Sequence, residues 1–160
     1  EPKSSAEVSP HLKPANIRKK SMVAGSDKSR DELLNLLYDG TDVMKHGRKG
    51  KPKTKALKLN DDGTMFTYIE HSNQRLFGGF LKGATDGEIL VENITEVRKG
   101  IQTEVMHNAK LVDPQMALSF IMADDRTVDV VFEFNKERDL WLRALKILFE
   151  DFNQSVKFMK

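Results

Sequence analysis

Thr127-Val128-Asp129-Val130-Val131-Phe132-Glu133-Phe134-Asn135, continuing through Trp141-Leu142-Arg143-Ala144-Leu145 to Leu148 and Phe152, is the stretch that decides the fold. Its first half alternates. Val128, Val130, Phe132 and Phe134 share one face, and Thr127, Asp129 and Glu133 share the other, with Val131 the single apolar exception. A period of two marks a half-buried antiparallel strand. The second half changes period: Trp141, Leu145, Leu148 and Phe152 recur at spacings of four, three and four, and Leu140, Ala144 and Ile147 widen the stripe. This predicts an amphipathic helix over about 136–153, with Asn135 as its N-cap.

Upstream, Leu118, Phe120 and Met122 repeat the alternation, and Asp124-Asp125-Arg126 supplies the turn into the decisive strand. Further strands are predicted at about 41–47, 54–60, 64–70, 88–97 and 101–111, with Asp61-Asp62-Gly63 as another hairpin turn. Seven strands followed by one helix give a mainly β fold with α: a seven-stranded antiparallel barrel or sandwich capped by a C-terminal helix. One helix covers one end only. Trp141 and its neighbours should plug that end and leave the other open to a ligand.

Ahead of the strands, Ser29 and Glu32 stand in the Ser-x-x-Glu spacing of a capping box before Leu33, Leu34, Leu36 and Leu37. A short amphipathic N-terminal helix follows, to be ended by Gly40. From Glu1 to Ser26 the chain is rich in Pro, Ser, Lys and Ala and poor in large apolar side chains, so a flexible basic tail is expected there, with Arg18-Lys19-Lys20 solvated. The expected organisation is therefore a tail over 1–26, a short helix over 27–38 and a domain over 39–155.

At 160 residues and 18.2 kDa the chain suits one domain with a core of its own. The absence of cysteine excludes disulfides, thiolate metal sites and cysteine nucleophiles, and suits a reducing compartment. His11, His46, His71 and His107 are scattered without metal-ligand spacing, and phosphate-loop and dinucleotide signatures are absent. No enzyme, metal or cofactor is expected. Asn93-Ile94-Thr95 is a formal glycosylation sequon inside a predicted strand, and is read as chance. The chain starts at Glu1 rather than Met, so a fragment of a longer protein is expected.

Charge is uneven. The net formal charge is +2, yet Lys45 to Lys58, KHGRKGKPKTKALK, holds Lys45, Arg48, Lys49, Lys51, Lys53, Lys55 and Lys58 with no acid among them. Interrupted by Gly47, Gly50 and Pro52, it reads as a basic hairpin loop that meets a localised anionic partner. A nucleic-acid surface would interleave aromatics, and 45–58 has none. Parity adds detail: Lys53 and Lys55 are in phase with Leu57 and Leu59, and Lys45 with Val43. Those lysines then point inward at the barrel mouth, unless a bulge at the glycines and proline swaps the faces. An inward lysine needs an anion or a route to water. Leu76-Phe77-Gly78-Gly79-Phe80-Leu81, edged by Arg75 and Lys82, is a second candidate contact: Leu76, Phe77, Phe80 and Leu81 are read as membrane-inserting, against a loop folded on the core.

Several motifs resemble one family. Gly40 and Lys45 before the basic loop, with Lys58-Leu59-Asn60-Asp61-Asp62 after it, resemble the first hairpin of a pleckstrin homology domain. Ile94-Thr95-Glu96-Val97-Arg98-Lys99-Gly100 followed by Thr103-Glu104 is similar to the fourth strand and turn of the phospholipase C type. Leu118-Ser119-Phe120-Ile121, Arg126-Thr127-Val128-Asp129-Val130 and Trp141-Leu142-x-x-Leu145 extend the resemblance over about 38–152. The chain also resembles the acylated pleckstrin homology proteins of apicomplexan parasites, proposed sensors of phosphatidic acid.

The resemblance implies a monomeric module that binds anionic phospholipid, phosphatidic acid or a phosphoinositide, at the cytoplasmic side of a membrane. The narrower one implies an acylated N-terminus and a part in exocytosis of secretory organelles such as micronemes. The family's headgroup motif is a Lys on the first strand and a basic-x-Arg sequence entering the second. Lys45 matches the first element, and Lys53-Thr54-Lys55 the second with Lys in place of Arg. Headgroup candidates are thus Lys45, Arg48, Lys49, Lys51, Lys53 and Lys55, with Arg75 standing in for the third-strand base missing near His71 and Ser72. Lysine is a compact point charge rather than a planar fork, which suits a phosphomonoester better than stereospecific inositol readout. A protein-interaction module on the same fold is the remaining alternative.

Overall fold

The structure, a computed structural model, describes residues 28–70 and 87–159. The capping box forms as the spacing requires: Glu32 N–H donates to the Ser29 hydroxyl and Ser29 N–H donates to the Glu32 carboxylate. It starts helix α1, Arg30–Asp39, which ends on Gly40 at φ 83, a left-handed value open to glycine. Leu33 and Leu37 are its buried face.

Among the described residues eight strands follow: β1 Thr41–His46, β2 Lys53–Leu59, β3 Met65–Glu70, β4 Gly87–Leu90, β5 Ile94–Lys99, β6 Ala117–Met122, β7 Thr127–Phe132 and β8 Lys157–Met159. They form one sheet in the order β4-β3-β2-β1-β7-β6-β5-β8. All pairings are antiparallel except β5 with β8. Among the described residues the sheet is open, with β4 and β8 as its edges. Its inner face carries Val43, Leu57, Leu59, Phe66, Phe120, Val130 and Phe132, all buried.

Helix α3, Asn135–Asp151, fills the hollow of the sheet. Trp141 is 0% exposed, its ring 5.6 Å from Phe132 and 5.8 Å from Phe66. The expected plug is therefore in place. The price is one indole N–H without an acceptor among the described residues. Arg138 fastens the helix start, donating from Nη1 to the carbonyls of Pro114 and Ala117 at 3.1 and 3.0 Å. Helix α1 packs along α3, and Arg30 pairs with Asp151.

Four expectations change. The strand expected at 88–97 is broken by a 3-10 turn, Val91–Asn93, so Ile94–Lys99 is the fifth strand and not the fourth. The strand expected at 101–111 is instead a short helix, α2, Glu104–Asn108, because the Thr103 hydroxyl accepts from Met106 N–H and caps it. Phe134 and Phe152 lie outside the core at 58% and 45% exposure, since the strand ends before one and the helix before the other. Phe134, not Asn135, is the N-cap of α3, without a side-chain cap bond, and the Asn135 amide turns to Gln115.

Candidate functional site

Strand alternation carries the core's inner face up to a cationic rim. On β1 and β2 the directly opposed pairs are Val43 with Lys55 and Lys45 with Lys53, so three lysines continue the face that Val43, Leu57 and Leu59 begin. The glycines and Pro52 of the 47–52 loop do not swap it. Lys45 and Lys55 are half-buried, and Lys53 is exposed. The Lys45 ammonium lies 5.2 Å from the centre of the Tyr68 ring on β3, a cation–π contact. Lys53 Nζ is 3.5 Å from a Glu70 carboxylate oxygen, and Glu70 is also the rung opposite Lys55.

Burial, and then the charge of Lys55, hold the Lys45 ammonium below the ordinary lysine range, while Asp129 pulls weakly the other way. Tyr68 owes its position to a residue without a side chain: a methyl group on Gly87, its partner across β3 and β4, would collide with the Tyr68 ring.

The other basic candidates lie on the outer side. Arg48, Lys49 and Lys51 are exposed on the loop, and Arg48 reaches Glu104 of α2 at 3.5 Å in an ion pair open to water, which contributes little. Between this loop and α2 lies a cleft of about 540 Å³, lined among others by His46, Arg48, Lys51, Glu104 and Lys110. The described structure thus gathers Lys45, Lys53 and Lys55 within, and Arg48 and Lys51 without. Arg75, Leu76, Phe77, Phe80 and Leu81 lie outside the described residues.

Sequence reading missed the outer face. Helix α2 is anchored there by Asp129, a 1% exposed carboxylate that accepts from Thr103, Ser119 and Thr127 hydroxyls at 2.5, 2.6 and 2.8 Å. Beside it runs a groove of about 820 Å³ lined by Met44, Pro52, Val131, Leu111 and Val112, with Asp42 and Glu133 also contributing. Val131 was the visible signal, the apolar residue on an otherwise polar strand face.

No family model matches the chain. Solved structures do. It is similar to Inner Membrane Complex Sub-compartment Protein 1 from Toxoplasma gondii at 14% identity and a TM-score of 0.57, over 92% of this chain and 98% of that one. Inner Membrane Complex Sub-compartment Protein 3 from the same organism matches at 12% identity and 0.51, over 78% and 86%. The PH domain from TgAPH matches at 16% identity and 0.52, over 76% and 88%. At such identities the likeness concerns the fold, and with the strand order and plugging helix already described it shows that this chain has a pleckstrin homology fold.

Proposed function

We propose that the chain is a non-enzymatic module that binds anionic phospholipid through the inner rim of the β1–β2 hairpin, recruits its protein to a membrane surface, and reads the phosphomonoester of phosphatidic acid. One observation carries this reading: Lys45, Lys53 and Lys55 share the inner face, with Lys45 half-buried over Tyr68 beside the like charge of Lys55. A small dianion relieves that repulsion and restores the solvation Lys45 has lost. Arg48, Lys49 and Lys51 add general attraction to the same surface. Regulation of secretory-organelle exocytosis is the process that the parasite resemblance implies for such a module.

Vesicle sedimentation tests it. Lys45→Glu or Lys55→Glu should greatly reduce binding to phosphatidic acid vesicles, while Lys3→Glu and Lys13→Glu in the N-terminal segment should do little. Phosphatidic acid should outcompete phosphatidylserine at equal surface charge, and binding should strengthen as pH carries the phosphate through its second ionisation. Equal binding of the two lipids would reduce the rim to an electrostatic patch. Much tighter binding of a polyphosphoinositide would transfer the site to that headgroup, with Arg48 or Arg75 supplying the fork.

A further inference from the structure

The loop between α2 and β6 presents an anomaly. Leu111 is fully exposed, and its backbone is left-handed at φ 61, a conformation unfavourable for a side chain branched like leucine's. Local backbone cost and solvent-exposed apolar surface coincide in one residue, and among the described residues no packing offsets either. Its neighbourhood is specific. Leu111 follows Lys110, and Lys110 lines both the apolar groove and the basic cleft, as do His46, Lys51 and Pro52, so the two hollows meet around the β1–β2 loop. Met44, 39% exposed, and Val112 extend the apolar surface, and Arg48, Lys49 and Lys51 stand exposed on the adjoining loop.

We infer that Leu111 is a membrane-inserting wedge: it enters the interfacial layer of an anionic bilayer while Lys110, Lys51 and Arg48 meet the headgroups around it. This rests on the reading of the inner rim as a lipid site, and adds a second, apolar point of contact on the opposite side of the same hairpin. The occupant is a lipid surface because an apolar tip with Lys110, Lys51 and Arg48 beside it matches the two-layered chemistry of an anionic bilayer, acyl below and phosphate above, the acids in the same surroundings being Asp42 and Glu133 in the groove and Glu104 in the cleft. The strained backbone holds the side chain out in water ready for transfer.

Leu111→Gly removes the wedge and relaxes the left-handed backbone, so the fold is kept. The full chain carrying it should melt no lower than the unsubstituted protein, yet bind vesicles of phosphatidylcholine with phosphatidic acid roughly tenfold more weakly. Leu111→Trp should shift its emission to the blue on those vesicles and be quenched by brominated acyl chains, while buried Trp141 gives a constant background. If Leu111→Gly binds as well as the unsubstituted chain and Leu111→Trp is not quenched, while Lys45→Glu still abolishes binding, the wedge falls and the rim stands. If the unsubstituted chain ignores anionic vesicles, both fall. A Leu111→Trp signal that rises with protein concentration without lipid assigns the groove to contact with a second copy and overturns insertion.

Discussion

Asp129 ties together parts of the chain far apart in sequence, through Thr103 before α2, Ser119 on β6 and Thr127 on its own strand. Charge-assisted hydrogen bonds to a buried carboxylate are strong, and the hydroxyls left behind on truncation have no water to turn to. Asp129→Ala should therefore cost roughly 3 kcal/mol in chemical denaturation. An unchanged midpoint would contradict the anchoring of α2. His46 sits directly opposite Asp129 on β1, and burial holds its imidazole below the usual histidine value of 6.5, with Asp129 opposing. A depressed base takes its proton more readily when unfolded, so its contribution to stability is complete above pH 6.5 and is lost as pH falls from there toward its folded value. His46→Gln should flatten that portion of a melting temperature against pH profile. A profile of unaltered slope would acquit His46.

At the level of elements, α3 holds the fold through its tryptophan. Trp141→Ala should cost roughly 3–5 kcal/mol, since the ring contacts Phe66 and Phe132 and the hollow sheet cannot collapse onto the space. Thermal melting at an unchanged temperature would deny the plug. This helix was readable because seventeen residues give its period time to repeat. So were α1, through its capping box, and the six-residue strands with clean alternation. Helix α2, with five residues, is shorter than two turns and gives its period no room to repeat, so no helical pattern stood against the strand expected at 101–111. Between β4 and β5 the buried residues are Ile89, Val91, Ile94 and Val97, spaced two, three and three, so the change of parity was present in the sequence and was read through as one strand. Strand β8 has three residues and depends on Gln154, whose amide donates to the carbonyls of Val91 and Ile94, and on Phe158 against Phe149. Such long-range ties leave no local pattern. Of the site, the inward phase of Lys45, Lys53 and Lys55 was legible from parity alone, whereas the Leu111 loop depends on a backbone angle that composition does not encode.

Across the whole molecule, cations occupy two dielectric settings: Lys45 is half-buried within the rim, and Lys49 and Lys51 are open to water outside it. Salt screens exposed charges far more than buried ones. Replacing Lys49 and Lys51 together by Gln should flatten the dependence of vesicle binding on ionic strength with a modest loss of affinity, while Lys45→Gln should lower binding at every salt concentration. Equal slopes for both variants would mean that the domain presents one undivided field. Among the described residues the two halves of the sheet meet at β1, which is bonded to β2 along one side and to β7 along the other, and β1 runs straight into the basic loop. Because ladder hydrogen bonds lie across the strands, a tug on that loop draws β1 and β2 together and loads the ladders they make with β7 and β3 in shear, every rung at once, whereas edge strand β8 has three rungs to share a load. The hairpin that carries the cationic rim is therefore also the handle by which this domain best bears mechanical tension.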